Sequence, residues 1–129
     1  MIPGAQELLD SVDRIGVRFG WAIFPSRKTV LRCRAEALHL NDDSGDPAVE
    51  AAALFFTFAF DEHRLGPHAR GLLPLAITLH HLHDHRLYLR PPDVALIGWL
   101  RHEVAEGSAD WPYVRAWFVE RTVSRGRSA

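Results

Sequence analysis

Two stretches of this sequence and one lone thiol carry side chains able to do chemistry. The densest stretch is His80-His81-Leu82-His83-Asp84-His85. At helical spacing His81 and His85 stand i,i+4, as do His80 and Asp84. A His pair at that spacing can chelate a transition metal, but a structural zinc site takes four ligands. Adjacent residues on a helix point in different directions, so no more than two of these histidines can share one ion. His102 or His39 would have to complete the set through the fold. The same composition suits a helix end, where protonatable side chains sit near free carbonyls and the negative end of the helix dipole. The spacing matches no specific zinc motif, and no metal site is expected here.

The second stretch runs from Asp61-Glu62-His63-Arg64 to Arg70-Gly71, between two strongly apolar segments. His63 or Glu62 is a candidate general base, and an imidazole is the better matched to neutral pH. Arg70 stands just before an apolar helix, whose free N–H groups and positive dipole end favour an anion. The alternative reading is a solvated helix end with local charge pairs, with Arg70 an ordinary surface residue. The lone thiol, Cys33, lies between Arg32 and Arg34, which would lower its pKa. With no identifiable base partner it reads as a small packing residue. Lys28 is the single lysine, so no further amine is at hand for Schiff-base chemistry.

The elements that must position these residues can be read from periodicity. The chain has 129 residues, 47% hydrophobic and 24% charged, which fits one globular domain over 1–129 and excludes a wholly disordered chain. Leu8, Leu9, Val12, Ile15 and Phe19 recur at helical spacing over Ala5 to Phe19. Gly16 weakens that helix and Gly20 ends it. Gly20 to Cys33 reads as irregular, with a short helix over Arg34 to Leu40. Asp46 is a candidate N-cap, with Pro47 at the first helical position and Glu50 in the first turn. The helix that follows, Pro47 to about Phe60, is apolar nearly all round and predicts the buried centre of the domain. Asp61 to Arg70 reads as an exposed loop. A second apolar helix is predicted from Gly71 to His83, a short extended piece over Arg86 to Leu89, a helix from Pro91 to near Glu106, and a last one capped by Ser108-Ala109-Asp110. The tail from Ser124 reads as polar and frayed, with Arg121, Arg125 and Arg127 making it basic. No strand alternation extends beyond a few residues, so the class is all-α.

Charge and composition exclude several functions. A net charge of -1 argues against a nucleic-acid binder, and Trp99, Trp111 and Trp117 have no basic stripe beside them to make a base-stacking platform. One cysteine excludes an internal disulfide framework. No secretory leader is evident at Met1-Ile2-Pro3-Gly4, and no apolar run is long enough to span a bilayer, so a cytoplasmic protein without membrane contact is expected.

From Val49 to Thr122 the chain resembles the Fic/Doc family, most closely the short Doc-type toxins. Ala51-Ala52-Ala53-Leu54-Phe55-Phe56 is similar to the family's buried helix before its H-P-F-x-D-G-N-K-R loop. His85-Arg86-Leu87-Tyr88-Leu89 resembles the extended turn after its second buried helix. Val104-Ala105-Glu106-Gly107 resembles the spacer, and Ala116-Trp117-Phe118 the closing helix. The loop departs from the motif. Without gaps, Glu62 falls on the histidine, His63 on the proline, Gly66 on the acidic residue, Pro67 on the glycine, His68 on the asparagine, Ala69 on the lysine and Arg70 on the final arginine. A shift of one makes His63 the motif histidine and takes Arg70 out of register.

The resemblance implies a compact helical domain and a Doc-like toxin paired with a small antitoxin protein. It would transfer a phosphate or nucleotidyl group from a nucleoside triphosphate to a hydroxyl of a protein or small-molecule substrate. His63 or Glu62 would be the base, and Arg70, Gly66, His68 and Gly71 would cradle the phosphates. Gly66 offers no carboxylate where the family holds its metal, which leaves Asp61 or Glu62 nearest and argues against Mg2+ support. The alternatives are a catalytically inactive member that binds a partner protein, and a scaffold reused for a small-metabolite reaction.

Overall fold

The computed structural model describes residues 1–125. Six α-helices and one short hairpin-like sheet make up those residues: α1 Ala5–Phe19, α2 Arg27–Asn41, α3 Pro47–Phe60, α4 Leu73–Asp84, β1 Leu87–Leu89, α5 Pro91–Ala105, α6 Trp111–Arg121 and β2 Thr122–Ser124. The all-α class predicted above is the class observed.

Helix α3 is the axis of the domain. Asp46 caps it by accepting from the Ala48 N–H at 2.9 Å, with Pro47 in the first turn. Its apolar residues then divide between two cores. Ala53, Leu54 and Phe58 join Leu8, Val12, Val30, Cys33, Leu73 and Ile77 on the side of α1, α2 and α4. Ala51, Ala52, Phe55 and Ala59 join Leu82, Ile97, Leu100, Val114 and Phe118 on the side of α5 and α6. A helix covered on both sides must be apolar all round, which is the pattern its sequence shows. The two strands close the second core from the end. They pair antiparallel, Leu87 with Ser124, Tyr88 with Val123 and Leu89 with Thr122.

Four expectations change. Helix α2 begins at Arg27, not Arg34, because Ser26 caps it by accepting from the Thr29 N–H at 3.1 Å. The arginine-rich first half of α2 has too few apolar residues for its periodicity to show. Helix α4 begins at Leu73, not Gly71, since residues before it form tight turns. The Asp61–Arg70 segment is anchored rather than exposed throughout: Asp61, Leu65 and Ala69 are buried, and Glu62–Arg64 form a 3-10 turn. Ser124 belongs to β2, and Arg125 continues the pairing by donating its N–H to the Arg86 carbonyl at 2.7 Å. Arg121 and Arg125 lie over the Trp117 and Tyr88 rings instead of forming a solvated tail. Arg127 lies outside the described residues.

Gly16 has a packing reason that its helix propensity hides. A side chain there would begin 2.2 Å from the Phe24 ring, which folds back on α1 with Trp21. Leu54 is fully buried at the centre of α3. Leu54→Asp leaves a carboxylate with no partner in that core, at a cost of several kcal/mol. Circular dichroism should show loss of the cooperative thermal transition.

Candidate functional site

The segment joining α3 to α4 is built around an ion pair that reaches across to α5. Arg101 Nη1 donates to both Glu62 oxygens, at 2.7 and 2.6 Å, and both side chains are mostly buried. The Arg101 guanidinium also lies 3.9 Å from the point where a Gly71 side chain would begin. Gly66 and Gly71 take φ of 89° and 82°, the left-handed region that glycine enters without steric penalty, and these two residues bracket the turns leading into α4.

At the N-terminus of α4 several backbone donors are turned inward. The N–H groups of Leu72 and Leu73 both donate to the Ala69 carbonyl, at 3.2 and 2.9 Å. Arg70 N–H donates to Gly66 at 3.1 Å and Ala76 N–H to Leu72 at 2.9 Å, while Pro74 has no N–H. Of the residues expected to cradle phosphates, Gly66 and Gly71 shape the backbone, and His68 and Arg70 are exposed side chains. His63 is exposed on the 3-10 turn, two residues from Asp61 at the end of α3. Glu62 is the one member of the set held in a defined geometry, and what holds it is Arg101. Arg101 had no signal in the sequence, because it sits among ordinary charges of α5.

A second polar cluster lies inside the domain, between α3 and α4. Glu50 is 1% exposed and His81 is 3% exposed. The His81 Nε2 is 3.1 Å from Glu50 Oε1, and the Met1 ammonium contacts Glu50 Oε2. With the ammonium on its other oxygen the carboxylate accepts at Oε1, and the Nε2–H tautomer of the imidazole is the one that donates to it. Burial lowers the His81 pKa from its ordinary value, outweighing the Glu50 hydrogen bond, which raises it. The neutral ring is therefore the form that fits. His85 stacks beside it, with ring centroids 4.4 Å apart, and its Nδ1–H donates to the His81 carbonyl at 2.9 Å. The sequence marks Glu50 only as an acid in the first turn of α3. The signal that marks it is its position as the one charged residue in a helix otherwise apolar on every side.

The remaining candidates separate cleanly. His80 and Asp84 pair at the surface at 3.3 Å. With Glu7, Ser11, Arg14 and His81 they line a cleft of about 370 Å³ between α1 and α4. His83 is exposed. Neither His39 nor His102 joins the histidines of α4; the residue that does is Glu50. Cys33 is buried and its thiol faces the Thr57 carbonyl at 3.8 Å. Burial, with Asp61 and Glu36 nearby, pushes its pKa up to about 12, against the lowering expected from Arg32. Trp117 is buried and Trp111 partly so, while Trp99 stands half exposed on α5. Among the described residues, no helix is long and apolar enough to cross a membrane. No family model, curated protein or solved structure matches the chain.

Two outcomes are expected from this geometry. A double-mutant cycle on Glu62→Gln and Arg101→Met, followed by urea unfolding, should give a coupling energy above about 1 kcal/mol, since one guanidinium nitrogen bridges both carboxylate oxygens and the pair is largely shielded from water. Cys33 should react with Ellman's reagent at pH 8 many times more slowly in the native protein than in urea, because the native thiol holds its proton far above that pH.

Proposed function

We propose that this protein is a Doc-like helical domain that works by holding a partner protein, with the group-transfer chemistry of that scaffold closed off. The Glu62–Arg101 pair carries the reading. In the ungapped register Glu62 stands where the family has its base, and here its carboxylate accepts two charge-assisted bonds from α5. Both oxygens of a carboxylate so held are already engaged, so neither is free to receive a substrate hydroxyl. The Arg70, Leu72 and Leu73 N–H groups are directed to Gly66 and Ala69, and the position of the metal-binding acid is Gly66. A triphosphate would meet the exposed Arg70 and His68 with no carboxylate at the metal position.

The partner in this proposal is a small antitoxin-like protein that presents an amphipathic helix. Helices α2 and α3 offer it an apolar groove of about 430 Å³, walled by Ala35, Leu40, Phe56 and Phe60 and rimmed by Arg32 and Glu36. Phe60 is 53% exposed and stacks on Phe56 at 5.9 Å. An exposed aromatic pair beside charges of both signs suits an apolar helix face flanked by charged residues. The transferase reading keeps one specific support: His63 and Arg70 are both exposed, and neither enters an ion pair among the described residues.

The two readings separate in one experiment. ATP with and without magnesium should leave the melting temperature unchanged, and labelled ATP should leave no label on the protein or on a co-purified partner. Co-expression with the product of the adjacent gene should yield a stable complex, lost in Phe60→Asp while the variant remains folded. An ATP-dependent shift that disappears in Arg70→Ala, with label transfer that disappears in His63→Ala, would establish the transferase instead.

A further inference from the structure

The cluster between α3 and α4 has the composition of a metal site, and it lies apart from the loop on which the functional proposal rests. Among the described residues, Glu50, His81 and His85 each place one potential ligand atom within 4.8 Å of the other two. Two of them come from one turn of α4 and the third from α3, the axis of the domain. This is the third ligand that the histidine run lacks by itself.

The hydrogen bonds already prepare one of the two rings. The His85 Nδ1–H is directed to the His81 carbonyl at 2.9 Å, which leaves the lone pair on Nε2. A backbone carbonyl in that position is the usual device that fixes a ligating histidine in its tautomer. His81 presents Nε2 to Glu50 Oε1 at 3.1 Å, with a proton between them. A dication replaces that proton when the ring passes it to Nδ1 by tautomer exchange, so the imidazole remains neutral. Glu50 Oε2 faces the Met1 ammonium and Oε1 faces the ring, which assigns Oε1 to the metal. Glu50 is completely buried, so its charge is little screened by solvent.

We infer that Glu50, His81 and His85 form a zinc site, with ligation through Glu50 Oε1, His81 Nε2 and His85 Nε2 and with at least one position left for water or a small anion. Two imidazoles and one carboxylate are a zinc donor set, and three protein ligands leave the ion open to an exogenous group. Tetrahedral zinc holds its ligand atoms about 3.4 Å apart, so the set must draw in slightly from its present spread. His85 is the ligand free to do so, since it sits at the partly exposed C-terminal end of α4.

The native protein, stripped with EDTA and titrated with zinc chloride in a calorimeter, should bind one ion per chain. Cobalt(II) bound in its place should show the visible absorption of a low-coordinate site. His85→Ala should remain folded by circular dichroism and weaken zinc binding at least tenfold. Glu50→Gln should do the same where it folds; if it does not fold, His85→Ala still decides. His80→Ala is the control, because His80 with Asp84 is a surface pair that can collect zinc on its own. Its affinity should equal that of the native protein. Absence of stoichiometric binding, binding unchanged in His85→Ala, or binding lost in His80→Ala would each overturn the site.

Discussion

Burial of α3 along most of its length, Phe60 at its end excepted, is the constraint on which the rest of this domain depends. A helix with Ala51, Ala52, Leu54, Phe55, Phe58 and Ala59 completely buried cannot lie on a surface. Each of its faces must find a partner, and the chain provides α1, α2 and α4 for one core and α5 and α6 for the other. The alanines matter as much as the phenylalanines, because small side chains let neighbouring helices approach the axis closely. The antiparallel β1–β2 pair then ties the segment after α4 to the end of α6, so the chain's two late turns are held together by backbone hydrogen bonds.

That constraint makes each polar group on α3 costly unless it is paired. Glu50 is the test of the rule. It is charged, it faces the interior, and it is answered from two directions, by His81 on α4 and by the Met1 ammonium. Thr57 solves the same problem locally, donating its hydroxyl to the Leu54 carbonyl at 3.2 Å. Asp61 is buried where the helix ends, and it raises the pKa of Cys33 from there. The chemistry of this protein is therefore set by what the central helix must bury, and a polar group held there is pre-organised by packing as well as by hydrogen bonds.

The loop between α3 and α4 follows the opposite logic. Its length and place suit a phosphate cradle, yet part of its polar groups is engaged within the protein. Ala69 accepts two N–H groups, Gly66 accepts one, and Arg101 holds Glu62. Leu65 and Ala69 fix the segment in the first core. A cradle for phosphate requires donors left free until the ligand arrives. Here the Arg70, Leu72 and Leu73 donors are turned inward and Arg101 holds Glu62, and the functional proposal therefore turns from transfer to binding and looks to the exposed Phe60 at the end of α3.

By itself the sequence determined the helical class, the central helix from Pro47 to Phe60 with its cap at Asp46, the helix that starts at Pro91, and the cap of the last helix within Ser108-Ala109-Asp110. All of these rest on local rules: apolar periodicity, side-chain caps and the missing proline N–H act within a few residues of chain. It left α2 half-read, because Ser26 and an arginine-rich turn carry no apolar stripe. Gly16 was legible only as a weak helix residue, although Phe24 packs where its side chain would be. Tertiary structure alone decided the chemistry. Glu62 meets Arg101 across 39 residues, and Glu50 meets His81 across 31. No spacing rule connects residues so far apart; only the packing of α4 and α5 against the two sides of α3 brings those charges within bonding distance.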